Sequence, residues 1–183
     1  MTPDPLTIAA AEQARTVVLQ MMAERGRGVV LVGAARLDLA VEHLLKAVMA
    51  PSQDTDDRLF TPERSLGSFA AKITLAARLG LIDSSIEASL HAVRSVRNDF
   101  AHSAGEPSLA DARHQKRLRR VYPEAEASPL WLALAPLLAQ QSGLSSHEQA
   151  FILLVTILVA SIEACVLLQV PFTPRATVRF RTS

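Results

Sequence analysis

The run from Phe151 to Val170, FILLVTILVASIEACVLLQV, constrains this chain more than any other stretch. It is apolar on every side of a helix. Ser145-Ser146-His147-Glu148 introduces it with a capping-box pattern, a serine followed three residues later by a glutamate. A helix apolar all round must be enclosed, either by other helices or by lipid. The run is nearly long enough to span a bilayer. Glu163 and Gln169 interrupt it, however, Thr156 and Ser161 dilute it, and no cluster of Lys or Arg flanks it closely. The spacing therefore predicts a central core helix, with no membrane partner. Aromatic residues make up only 4% of the chain against 49% hydrophobic residues, so the cover has to come from Leu, Ala, Val and Ile. That composition suits helices better than a sandwich.

Helical periodicity and punctuation recur along the rest of the chain. A first helix is expected over 6–24, with Ile8, Ala11, Val18 and Met22 near one side. A second runs from Val29 to Met49 on a stripe of Leu31, Ala34, Leu37, Val41, Leu44, Leu45 and Val48, where Gly33, Ala34 and Ala35 leave room for a close crossing. After the acidic loop Pro51–Thr61, Thr61-Pro62 reads as the start of a third helix through Leu66, Phe69, Ile73, Ala76 and Ala77, ended by Gly80-Leu81. Ser84-Ser85-Ile86-Glu87 opens a fourth that reaches His102. A short helix is expected from Ser108 to Tyr122, stopped by Pro123, and another from Ser128-Pro129 that Pro136 should kink or divide. The strand-like alternation Thr177-Val178-Arg179-Phe180-Arg181 has no partner strand and reads as a tail. The expected architecture is all-α: one domain of six or seven helices over residues 1–174, followed by a tail over 175–183.

Charge and special residues narrow the function classes. The net charge is +1, so no global field points to nucleic acid or membrane. Cys165 is the single cysteine, and no basic stretch followed by an apolar run and a cleavage site opens the chain; a cytoplasmic location is expected. His43, His91, His102, His114 and His147 show no paired ligand spacing, so no metal site is expected. Gly26-Arg27-Gly28 is too short for a phosphate loop and no serine stands in a nucleophile elbow, so no cofactor is expected.

The densest polar chemistry is Arg94-Ser95-Val96-Arg97-Asn98-Asp99-Phe100-Ala101-His102, at the end of the fourth helix. Two accounts compete. In the structural one, Asp38 and Glu42, four apart on the second helix, pair with Arg94 and Arg97 as a partly buried network. In the functional one, Arg97 grips a phosphate while His102 moves a proton. Five residues correspond to roughly 140° of helix rotation, so that account needs the helix to end or bend before His102. A second cluster, Arg113-His114-Gln115-Lys116-Arg117-Leu118-Arg119-Arg120, holds five Arg or Lys in eight residues, Arg113, Lys116, Arg117, Arg119 and Arg120, and is followed by Tyr122. It is either a solvated face or a contact for DNA or RNA backbone, with Tyr122 available to stack on a base.

Taken in order, Gly28–Asp38, Leu66–Ile73, Leu79–Ile82 and Val93–His102 resemble the mannitol operon repressor family, over roughly residues 25–103. The resemblance implies an all-helical fold and a role in transcriptional repression without an obvious helix-turn-helix. Arg97-Asn98 followed by His102 is also similar to the motif of HEPN domains, helical modules that include metal-independent ribonucleases working as dimers; carried over, it concerns Arg97, Asn98 and His102 alone. The leading expectation is a non-enzymatic regulator acting through protein or nucleic-acid contacts, with a HEPN-like ribonuclease as the alternative. A homodimer is expected as well, because one long apolar helix with little polar cover leaves surface in need of a partner.

Overall fold

A computed structural model describes residues 5–52 and 57–173. Among them are eight α-helices, one 3-10 turn and no strand: α1 (Pro5–Met22), α2 (Arg27–Val48), the 3-10 turn Arg58–Phe60, α3 (Phe69–Arg78), α4 (Ser84–His102), α5 (Ala112–Leu118), α6 (Tyr122–Glu126), α7 (Pro129–Ala139) and α8 (Ser146–Val166). The body is all-α, with more helices than the six or seven expected. The tail cations Arg175, Arg179 and Arg181, and the acids Asp54 and Asp56, lie outside the described residues.

The apolar run forms the central helix. Every residue from Phe151 to Ala160 is buried, and α8 packs chiefly against α1 and α2, with α7 on a further side. By length and composition α8 could cross a bilayer, but here protein covers its apolar stretch. Its start is a complete capping box: the Glu148 N–H donates to Ser145 Oγ (3.2 Å), and Glu148 Oε2 accepts from the Ser145 N–H (2.8 Å). Glu148 Oε1 also accepts from the Gly26 N–H at 2.8 Å, which ties the α1–α2 junction to the head of α8. Glu163, which interrupts the apolar run, hydrogen-bonds His43 of α2 at 2.9 Å.

The crossing at Gly33 and Ala34 is as close as the small residues suggest. A Cβ built on Gly33 would stand 2.7 Å from Met21 Cε and 3.2 Å from Val155 Cγ2, so α1, α2 and α8 meet there. Ala35 is exposed and takes no part. The inward face of α1 is Ala14, Val17, Val18 and Met21; Ile8 and Ala11 are exposed, a stripe rotated from the expected one.

Helix boundaries moved where tertiary contacts intervene. Thr61-Pro62 does not start α3. Gly67 presses onto the carbonyls of Thr61 and Pro62 in a compact turn, and Ser68 caps the helix instead, accepting from the Ala71 N–H at 3.2 Å. Gly80, at φ 69°, ends α3 as its sequence suggests, with the Leu81 N–H donating back to the Ala76 carbonyl at 3.0 Å. Asp83 caps α4 one residue ahead of the expected box, accepting from Ser85 and Ile86 N–H at 3.0 and 2.8 Å. A carboxylate is a strong cap, and these bonds hold its pKa below the ordinary value. Pro123 sits in the first turn of α6, so it starts a helix instead of stopping one. Pro136 lies within α7 and does not divide it.

Candidate functional site

The acid pair on α2 exists, but its partner is a lysine. Lys72 of α3, with a side chain only 5% exposed, places its ammonium 2.7 Å from Glu42 Oε2 and 2.8 Å from Asp38 Oδ1. The first contact is a hydrogen bond; the second is ionic, off the hydrogen-bond direction. Lys46 donates to Glu42 at 2.6 Å. Burial alone would push the Glu42 carboxyl up, but the hydrogen bonds and charges of Lys46 and Lys72 outweigh it and hold the group below its ordinary value. Lys72 is likewise held above its ordinary value, because Asp38 and Glu42 outweigh its desolvation. Arg94 and Arg97 are not in this network. The half-buried Arg94 has an Nε without a hydrogen-bond partner among the described residues, and the exposed Arg97 donates to Asn98 Oδ1 at 3.1 Å. The expected pairing of Asp38 and Glu42 with Arg94 and Arg97 is therefore corrected: α3 inserts its own cation where α4 was expected to supply two.

Nor do Arg97 and His102 converge. The chain stays helical through His102, and the Ser103 N–H still donates to the Asp99 carbonyl at 3.1 Å, so no bend removes the roughly 140° between the two side chains. His102 instead shares a cleft of about 310 Å³ with Asn98, Asp99, Ser103 and Arg113. The arginine facing His102 there is Arg113, from the basic run.

That run is shorter than expected as a helix and has an inside. α5 spans seven residues, preceded by a turn in which the Asp111 N–H donates to the Ser108 carbonyl at 3.1 Å. His114 is fully buried; its Nδ1 donates to the Ser108 carbonyl (2.7 Å), Nε2 lies 3.4 Å from Asp99 Oδ2, and its ring packs on Phe100 at 5.1 Å between centroids. Because a carbonyl can only accept, the proton must be on Nδ1. Arg117 makes a short charge-assisted hydrogen bond to Asp99. That bond, more than anything else nearby, holds the Asp99 carboxyl below the usual carboxylate range. Arg117 is thus an anchor, while Lys116, Arg119 and Arg120 are exposed and form no ion pair among the described residues. Arg113 makes a distant contact with Asp111, at 4.0 Å, and its charge also reaches Asp99.

Tyr122 is not available for stacking on a base. It is 8% exposed, packs edge-on against Trp131 at 6.1 Å, and its hydroxyl has no partner among the described residues. Burial, reinforced by the Glu126 charge, pushes its pKa up. On the α8 side of α5, Ala110, Ala112, Gln115, Lys116, Arg119 and His147 line an open groove of about 530 Å³. No three His, Cys, Asp or Glu side chains among the described residues gather as a metal site would require.

The chain matches no protein-family model and no curated protein sequence. Among solved structures it is similar to a chain of the X-ray structure of the MtlR-HPr complex from Escherichia coli, with a TM-score of 0.63 and 17% identity over 83% of this chain and 99% of that one. The fold is MtlR-like. This agrees with the resemblance seen over residues 25–103 and extends past it along the chain. At that identity the likeness concerns architecture; it carries nothing for the Arg97, Asn98 and His102 motif.

Proposed function

We propose that this chain is a non-enzymatic regulatory protein of the mannitol operon repressor type, acting on transcription in the cytoplasm by binding a macromolecular partner. One observation carries the reading: the mounting of α5. Its inward residues, His114 and Arg117, fasten it to Ser108 and Asp99, which leaves Lys116, Arg119 and Arg120 facing solvent without counter-charge among the described residues. Cations on a fixed helix and free of internal partners suit contact with an anionic surface. The HEPN-like alternative needs Arg97 and His102 to address one phosphate, and their separation around α4 weighs against it. The structural neighbour was solved with HPr, which supports a protein partner ahead of nucleic acid.

A second copy belongs to the same proposal, though not through α8, whose apolar surface is already covered. The face we assign to it is the broad exposed side of α7, bounded by Leu132 (68% exposed) and Leu137 (56%), and no charged residue lies between Glu126 and His147. An uncharged face can meet its own image without burying an unpaired charge. Light scattering on wild type and on the double variant Leu132→Glu/Leu137→Glu tests this: dimer and monomer respectively are expected, and a monomeric wild type would remove the dimer.

The wider reading is tested by titrating the purified protein with Escherichia coli HPr, a DNA duplex and single-stranded RNA at low and high salt. We expect HPr binding that weakens with salt, and intact RNA. RNA cleavage that disappears in His102→Ala would overturn the non-enzymatic reading.

A further inference from the structure

We propose that the groove between α5 and the head of α8 seats an acidic amphipathic helix of a protein partner; this rests on the regulatory reading above and names the chemistry of its contact. The two flanks of α5 differ electrostatically. Toward α4, the cations meet carboxylates, Arg117 bonded to Asp99 and Arg113 near Asp111. Toward α8, Lys116 and Arg119 stand on the groove with no carboxylate among its lining residues, and His147 contributes the opposite wall. An anionic ligand is therefore directed to the α8 side.

The floor decides what kind of anion. Ala110 and Ala112 present methyl groups, and the one ring among the lining residues is the His147 imidazole, where a strand of bases would need several; Tyr122 is buried elsewhere. A single strand of nucleic acid seeks aromatic platforms beside its phosphate contacts, and a duplex presents a continuous charged backbone that would waste an alanine floor. An amphipathic helix has what the groove takes: apolar side chains at i, i+3 and i+4 to cover the alanines, and flanking Asp or Glu to reach Lys116 and Arg119. Depletion of charge at the centre with charge at the rim is also the ordinary layout of a protein interface.

The test uses the full-length protein and a fluorescent designed peptide, helical, with a leucine stripe flanked by glutamates. Its comparators are a scrambled peptide of the same composition, polyglutamate and a DNA duplex. Anisotropy titrations should show the amphipathic peptide binding at least about tenfold tighter than the scrambled one. Lys116→Glu/Arg119→Glu should weaken it by about tenfold or more, as should Ala112→Glu, which places a carboxylate on the exposed floor, while Arg64→Glu, on an exposed turn elsewhere, should not. Circular dichroism establishes that each variant is folded. Equal binding of the scrambled peptide, tighter binding of the duplex, or indifference to both groove variants would overturn the proposal. If HPr binding survives Lys116→Glu/Arg119→Glu, the groove assignment falls while the regulatory reading stands; if no macromolecule binds but the peptide series behaves as expected, the reverse holds.

Discussion

The regulatory reading depends on α5 being held still, and His114 is the residue that should hold it. Its ring is wholly enclosed, donates one hydrogen bond of 2.7 Å to Ser108 and lies on Phe100. Truncation to alanine removes a buried ring, for which the larger phenylalanine gives a ceiling of about 3–5 kcal/mol. It also removes one of the two hydrogen bonds that the Ser108 carbonyl accepts, at about 1 kcal/mol, while the Asp111 N–H keeps the other. Allowing for the smaller, more polar imidazole, His114→Ala should cost about 2–4 kcal/mol. Besides His114, this seven-residue helix is held by the buried Leu118 and the Arg117–Asp99 bond, few enough contacts that the loss should appear first as local opening. Native-state hydrogen exchange then reads it directly: amides of 112–118 should exchange roughly 30- to 900-fold faster, taking about 1.36 kcal/mol per decade, with α8 unchanged. Two further variants separate the contributions. His114→Asn keeps a donor where Nδ1 stood and should cost about 1–2 kcal/mol, whereas His114→Phe keeps a ring, removes one of the carbonyl's two donors and crowds the site, at about 1–3 kcal/mol. Partner binding should weaken in the order of the exchange effects. Unchanged exchange over 112–118 in His114→Ala, with binding intact, would refute the anchoring argument.

Lys72→Met should destabilise by about 2–4 kcal/mol in urea titrations, because two carboxylates lose a buried counter-ion, with Lys46 still neutralising Glu42 and limiting the loss. The sign with pH follows from Glu42 lying below its ordinary 4.5: its contribution is full above that value and disappears as the medium is acidified through the lowered pKa, so the variant should lose less stability than wild type over that window. Lys72 lies above its ordinary 10.5, so its own contribution is full below that pH and fades in more alkaline solution, which the wild-type alkaline limb should show. Glu148→Gln, with one oxygen in place of the two that accept from Ser145 and Gly26, should cost about 1–2 kcal/mol by thermal melting and flatten the acid limb in the same sense, since burial of that carboxyl is outweighed by those bonds and the group is held low. Arg97→Ala should change stability by no more than about 0.5 kcal/mol, since its side chain is exposed and among the described residues bonds only its neighbour Asn98; a larger loss would revive a structural role for it.

Much of the fold was legible because its signals are local. The Ser145–Glu148 box, the glycine at the end of α3 and the uninterrupted burial of Phe151–Ala160 each follow from residues within a few positions of one another. The failures share the opposite property. The start of α3 depends on Gly67 meeting carbonyls six and five residues back, and the inward stripe of α1 depends on where α8 lies, which spacing alone could not reveal, since both Ile8–Ala11–Val18 and Ala14–Val17–Met21 keep helical spacing.

The site divides along the same line. That Asp38 and Glu42 share a face and need a cation is a property of α2 alone; which helix answers is a property of the packing. A signal for Lys72 was nonetheless present: it falls among Phe69, Ile73 and Ala76, at spacings of three, one and four, so a lysine interrupts an otherwise apolar stripe, and such a residue must reach either water or a carboxylate. His114 carried the same signal inside the basic run, four residues before Leu118 and on its face. A count of charges treats that run as one surface. The helix period divides it into an inner pair that fixes the segment and an outer set that can meet a partner, and only the outer set can weaken binding without loosening the fold.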